Sequence, residues 1–206
     1  SSDVCSSDLN GKRFPLLRQQ AAKLKKDDPF LCLSDFVRPL SSGITDKIGA
    51  FATTVDAEME QLYAEDDYKR MLAQTLSDRL AEATAEKLHE DVRKKLWGYA
   101  PDENLSVKDL HNEKYQGIRP AVGYPSLPDQ SINFLLDELL DMKQIGISLT
   151  ENGMMKPHAS VCGLMFAHPA SRYFSIGKIG EDQLADYAAR RGMSIEETKK
   201  FLAANL

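Results

Sequence analysis

Residues 65–97 constrain the fold more than any other stretch. They are dense in Ala, Leu, Glu, Lys and Arg, and no Gly or Pro interrupts them before Gly98. Unbranched side chains of this kind lose little rotamer freedom in a helix. At 1.5 Å per residue the helix would run to roughly 45–50 Å. Leu72, Leu76 and Leu80 step by four, and so do Leu88, Val92 and Leu96. Each such step drifts by about 40° at 3.6 residues per turn. The two trios therefore point in different directions, and the expectation is a central helix covered by different partners along its length. Gly98 closes it and Pro101 prevents its return.

The other segments are shorter. Residues 14–26 carry a partial apolar stripe (Leu16, Leu17, Leu24) and predict a helix stopped by Asp27-Asp28-Pro29. Residues 30–37 and 47–55 read as strands. Ser106-Val107-Lys108-Asp109 opens a short helix through a side-chain cap. Residues 116–128 hold three prolines and two glycines and read as an extended loop. In 129–143, Ile132, Leu135, Leu136, Leu139, Leu140 and Met142 make one side of an amphipathic helix. Ile147–Thr150 is a short strand. Residues 160–166 and 173–179 are strand-like around His168-Pro169 and predict an antiparallel hairpin. Residues 181–191 form a helix ended by Gly192, and Ser194-Ile195-Glu196-Glu197 opens the last one. Helices mixed with a few non-alternating strands predict an α+β fold: a long central helix packed with a small, mainly antiparallel sheet and flanking helices.

The leader SSDVCSSDL, residues 1–9, has no helical or strand period and resembles translated adapter sequence. We expect it to be non-native and the domain proper to occupy 10–206, incomplete at its N-terminus. No apolar run is long enough to span a membrane. The net charge of −5, with dispersed Lys and Arg, argues against nucleic acid as a partner. Cys5, Cys32 and Cys162 are far apart and odd in number, which suits reduced thiols and a cytoplasmic setting. His89, His111, His158 and His168 show no metal-ligand spacing.

The candidate chemistry starts with Arg119-Pro120-Ala121-Val122-Gly123-Tyr124-Pro125. Pro120 and Pro125 keep their preceding residues extended. Arg119 offers a donor fork for a carboxylate, Gly123 permits close approach to the backbone, and Tyr124 adds a ring and a hydroxyl. The stretch can hold an aromatic-bearing amino acid, or simply serve as a rigid connector. Tyr173 and Phe174 either flank a ligand or are ordinary strand aromatics. Asp78, Glu82 and Glu86 sit four residues apart and repel one another. They form a solvated face, or Glu82 lies beside a cation such as a sulfonium. His89 and His168 have no acid–base partner in sequence and read as structural. No nucleophile elbow, phosphate loop or dinucleotide fingerprint is present.

Several blocks occur together in one order. They are Asp67-Tyr68, Asp78-Arg79-Leu80-Ala81-Glu82-Ala83, Leu88-His89-Glu90 and Trp97-Gly98-Tyr99-Ala100-Pro101 on the long helix and its exit. Tyr115-Gln116-Gly117-Ile118-Arg119-Pro120-Ala121 and Gly123-Tyr124-Pro125 follow. Leu149-Thr150-Glu151, Ala159-Ser160-Val161, His168-Pro169, Asp182-Gln183 and Asp186-Tyr187-Ala188 complete the set. This pattern resembles the activation domain of cobalamin-dependent methionine synthase, over everything after the leader.

The resemblance implies a part of a methyltransferase of methionine biosynthesis. It implies a domain that binds S-adenosylmethionine and presents its methyl group for reductive remethylation of inactive cob(II)alamin. Arg119 would hold the ligand carboxylate. Ala121, Gly123 and Tyr124 would line the loop side, Tyr173 and Phe174 the opposite wall, and Glu82 would come from the helix. No residue here is implied to be catalytic or to bind metal. The implied partners are the cobalamin-binding domain of the same full-length protein and a flavodoxin or related flavoprotein. Cobalamin, and any zinc, would belong to domains outside this chain, so the chain alone is not expected to be catalytic. An acidic ligand residue of the family lies upstream of what is present, and Val122 stands where the family has proline. The alternative is an interaction module that docks a cobalamin domain or a flavoprotein without binding a small molecule.

Overall fold

The computed structural model describes residues 6–9, 11–20 and 27–206. Its strands are β1 (Ser6–Leu9), β2 (Lys12–Pro15), β3 (Gly49–Thr54), β4 (Ser148–Leu149), β5 (Met155–Lys156) and β6 (Ser160–Met165). Its α-helices are α1 (Asp67–Asp91), α2 (Val107–His111), α3 (Ile132–Leu140), α4 (Glu181–Arg191) and α5 (Ile195–Phe201). The strands form three antiparallel pairs: β1–β2, β3–β6 and β4–β5. The fold is α+β, with α1 lying along the β3–β6 pair.

Asp66 caps α1 by accepting a hydrogen bond from the Lys69 amide, and a π-helical turn over Val92–Leu96 extends the helix to its exit. The side that meets the sheet is not leucine. Ala73, Ser77, Ala81, Ala85 and His89 are the buried positions, whereas Leu72, Leu76 and Leu80 are 47%, 54% and 50% exposed. Both sets step by four, so spacing alone did not choose between them. Small side chains let the helix backbone approach the strands closely, and the Thr53 hydroxyl donates to the Ala81 carbonyl at 3.4 Å. Of the second trio, Leu88 and Val92 pack on Phe51, Ala85 and Met165, while Leu96 is exposed.

This arrangement predicts opposite responses at neighbouring positions. Ala81→Leu forces bulk between the buried helix side and the strands it meets and should cost about 1–3 kcal/mol. Leu76→Ala, on the exposed side, should change stability by no more than about 0.5 kcal/mol. Urea unfolding of the two variants measures both; the reverse order would mean that the leucine side is the packed one.

Three expectations are corrected. Of the helix expected over 14–26, residues 14–20 are instead the end of β2 and a non-helical run in which Phe14, Pro15, Leu16 and Leu17 are all buried, and residues 21–26 lie outside the described residues. Consecutive burial suits a strand passing between layers and not a one-sided helix. The strand expected over 30–37 is a 3-10 turn at Leu33–Phe36, because the Asp35 carboxylate reaches back to accept the Cys32 amide at 2.8 Å. The hairpin between 160–166 and 173–179 does not form. One edge of β6 pairs with β3 from Gly49↔Met165 to Thr54↔Ser160, and the loop bridges at Ile118↔Phe166 and Ala121↔Gly163 take the other. Both edges are occupied, so 173–179 runs as an extended segment, with the Ile176 amide donating to Pro125 O at 2.8 Å. In the leader, Ser6–Leu9 pairs with β2, and Leu9 packs against the core. Val4 and Cys5 lie outside the described residues.

The main core gathers Phe14, Leu33, Ile118, Ile132, Leu136, Met142, Ile147, Leu164 and Phe166. The apolar side of α3 supplies much of it, as its stripe predicts. A smaller core under α4 and α5 holds Ile176, Leu184, Tyr187 and Leu202. Cys32 and Cys162 are buried.

Candidate functional site

The 116–128 loop is laid directly on β6. A Cβ added at Gly163 would stand 2.2 Å from Pro120 O and 2.8 Å from Ala121 Cα, so glycine is required there. Leu164 N donates to Pro120 O at 3.1 Å and Val122 N to Cys162 O at 2.9 Å. These two bonds flank Ala121, whose own amide and carbonyl are therefore turned away from the strand. The carbonyl accepts the Tyr124 amide at 3.3 Å.

Between α1, this loop and the 173–175 segment lies a cleft of about 510 Å³. That volume falls in the range of small-molecule sites. Glu82, Arg119, Ala121, Tyr124, Tyr173 and Phe174 all line it. Gly123 does not. At φ +87° it turns the chain, and its amide is spent on Leu127 O at 2.8 Å. Its part is to shape the loop, not to meet the cleft. Phe51, Glu113, Tyr115 and Ser126 also line the space, and sequence reasoning passed over them. Glu113, held in the left-handed region at φ 52°, has one legible signal: it is an acid just upstream of Tyr115 and Arg119.

Asp78, Glu82 and Glu86 of α1 are not left to repel one another. His158 Nδ1 lies 3.5 Å from Asp78 Oδ1, the Tyr124 hydroxyl donates to Glu82 at 2.5 Å, and Arg119 Nη2 pairs with Glu86 at 2.5 Å. Each finds a different partner across the helix flank. The hydrogen bond to Glu82, with burial, pushes the Tyr124 hydroxyl up to about 12. A second cavity of about 310 Å³ shares Glu82, Ala121, Tyr124 and Val161 with the first.

Arg119 is held on several sides. Its backbone amide donates to the Tyr173 hydroxyl at 3.0 Å, which ties the loop to the far wall. Burial raises the Tyr173 hydroxyl above its ordinary value, so it stays protonated. Arg119 Nη1 donates to the Tyr115 hydroxyl at 3.1 Å and reaches His89 Nδ1 at 3.2 Å. A guanidinium only donates, so Nδ1 is the acceptor and the proton of His89 sits on Nε2, 3.3 Å from the Tyr99 hydroxyl. Burial, reinforced by Arg93 and Arg119, lowers His89 to about 3 and keeps it neutral. His89 is thus a structural acceptor, as read from sequence. His168 is exposed and accepts the Ala170 amide within its turn. Burial pushes the Cys162 thiol up to about 12, which disqualifies it as a nucleophile.

Among the described residues no group of three or more His, Cys, Asp or Glu side chains is arranged to hold a metal ion. Among the described residues no helix is long and apolar enough to cross a membrane. The cleft therefore offers one guanidinium, flanking carboxylates, a turned-out backbone amide and aromatic walls. This is a set for binding and orienting a zwitterionic, ring-bearing molecule.

Comparison with known proteins gives two findings. The family model described as "Vitamin B12 dependent methionine synthase, activation domain" matches residues 3–192. Among solved structures, the chain is similar to one described as "Crystal Structure of the MetH Reactivation Domain bound to AdoHcy", at 48% sequence identity and a TM-score of 0.89. That match covers 95% of this chain and 61% of the other.

Proposed function

The chain belongs to the vitamin B12 dependent methionine synthase activation domains, and on that premise we propose that it binds S-adenosylmethionine in the Arg119 cleft and presents the methyl group for reactivation of oxidised cobalamin. The observation that carries this reading is the meeting of Glu82, Arg119, Tyr124, Tyr173 and Phe174, from three separate segments, around one space of about 510 Å³. The similar reactivation domain is bound to AdoHcy, the product left when S-adenosylmethionine gives up its methyl group.

In this reading Arg119 takes the carboxylate through charge-assisted hydrogen bonds. The Ala121 amide and Tyr124 line the loop side, and Tyr173 and Phe174 give the nucleoside its apolar wall. Glu82 supports the positive sulfur, and exclusion of water strengthens that attraction. Reduced cobalamin, carried by a neighbouring domain of the full-length protein, supplies the nucleophile when it is brought to the cleft. The methyl group leaves a cation, so the protein needs no general acid or base. Its contribution is placement and desolvation. A flavodoxin or related flavoprotein supplies the electron, the setting is cytoplasmic, and the chain is not catalytic by itself.

Titration calorimetry of the chain with S-adenosylhomocysteine tests the proposal. A saturable one-to-one heat is expected. Absence of heat at millimolar ligand overturns small-molecule binding by this chain and leaves the docking-module reading.

A further inference from the structure

Two arginines flank the Tyr115 ring, and their carboxylate partners hold them in different ways. Arg93 lies 4.4 Å from the ring centroid and Arg119 5.8 Å. Arg93 is fully buried, and both oxygens of Glu103 engage its Nε and Nη2. Arg119 instead receives a single oxygen of Glu86. Glu86 Oε2 accepts from Nη2, while its Oε1 is buried and has no partner among the described residues. His89 Nδ1 and the Tyr115 hydroxyl accept from Nη1. A guanidinium has five N–H donors. Three are engaged by these contacts, which leaves two for an incoming group.

His89 is fully buried and stands edge-on to Tyr115 with ring centroids 5.2 Å apart. Its acceptor nitrogen is fixed in place. Glu86 projects from the same helix as His89, one turn earlier. The two contacts grip opposite terminal nitrogens of one planar group, so they set its rotation about the side-chain axis.

We propose that Glu86 is a positioning residue for Arg119: with His89 it fixes the guanidinium so that the two remaining N–H donors are offered to the cleft as a ready-made carboxylate fork. One-oxygen contact is what makes this possible. A two-oxygen embrace like that at Arg93 would consume a donor that the ligand needs. Orientation ahead of binding removes the cost of ordering a long side chain when the ligand arrives. The inference rests on the reading of Arg119 as the carboxylate site.

The test uses the intact chain and two ligands, S-adenosylhomocysteine and 5′-methylthioadenosine. Both carry the nucleoside thioether, and the second lacks the amino-acid carboxylate. The ratio of their affinities isolates the carboxylate contact. Glu86→Ala frees the guanidinium and should lower that ratio on the order of tenfold, while 5′-methylthioadenosine binds as it does to wild type. Glu86→Gln keeps an oxygen acceptor on Nη2 and should leave the ratio close to wild type. A Glu86→Ala variant with an unchanged ratio, or with both ligands weakened alike, overturns the positioning role. So does a Gln variant that loses as much as the Ala variant, because charge and not orientation would then be at work. Arg119→Ala separates the two ideas. If it leaves the ratio intact, the carboxylate reading itself fails; if it collapses the ratio and Glu86→Ala does not, only the positioning proposal fails.

Discussion

Arg119→Ala should weaken S-adenosylhomocysteine binding by about 2–5 kcal/mol, the usual cost of truncating one partner of a desolvated charge pair. The loss has two physical parts. The ligand carboxylate loses its fork, and Glu86, left without the cation that faces it at 2.5 Å, repels the carboxylate that enters. Arg119→Lys should recover little. An ammonium is a point charge on a flexible stem and cannot meet Glu86, His89, Tyr115 and a carboxylate together from one plane. Titration calorimetry gives both numbers, and wild-type affinity in either variant removes Arg119 from the site.

The second large effect is on folding. Arg93 has no exposed surface, and the side chain of Glu103 is 9% exposed. Arg93→Ala leaves that carboxylate buried and unpaired, which should cost about 3–5 kcal/mol. For a chain of this size that is a fall in melting temperature on the order of 10 °C. Replacing both partners with apolar residues of similar volume (Arg93→Met with Glu103→Leu) should restore most of the loss, because no charge then remains stranded. Chemical denaturation of the single and double variants checks both statements. A single variant that costs less than about 1 kcal/mol would show that water reaches the pair. Tyr115 lies against Arg93 on one hand and Arg119 on the other, so this pair also underlies the cleft.

Sequence reasoning succeeded where local chemistry decides the outcome. The α1 helix, the Ser106 cap and the α3 stripe depend on propensity and nearest neighbours, and all three stand as read. It failed where distant partners decide. Nothing local says that Ala81 and not Leu80 meets the sheet, or that β3 and the 118–121 loop would occupy both edges of β6 before 173–179 could. The site divides in the same way. Arg119 and Tyr124 are conspicuous because two prolines stiffen the chain around them. Glu82 could be singled out only as one acid among three, and its neighbour Glu86 proved to be the one that grips Arg119. Family likeness, not periodicity, put Tyr173 and Phe174 opposite the loop. Gly123 was conspicuous too, yet it serves the turn and does not line the cleft.

The alanine-and-serine underside of α1 has a mechanical consequence. Bulky side chains interlock like teeth and prevent a helix from sliding lengthwise; a smooth underside does not. Over residues 73–86, before the Leu88 and His89 contacts, the lengthwise position of α1 is held by its polar rungs: Asp78 with His158, Glu82 with Tyr124, Glu86 with Arg119. The Glu82–Tyr124 rung is a contact that a molecule seated in the cleft would compete for, and the Glu86 rung holds the Arg119 fork that would receive it. Occupancy of the cleft and the axial setting of the longest element in the fold are thereby coupled through the same few atoms.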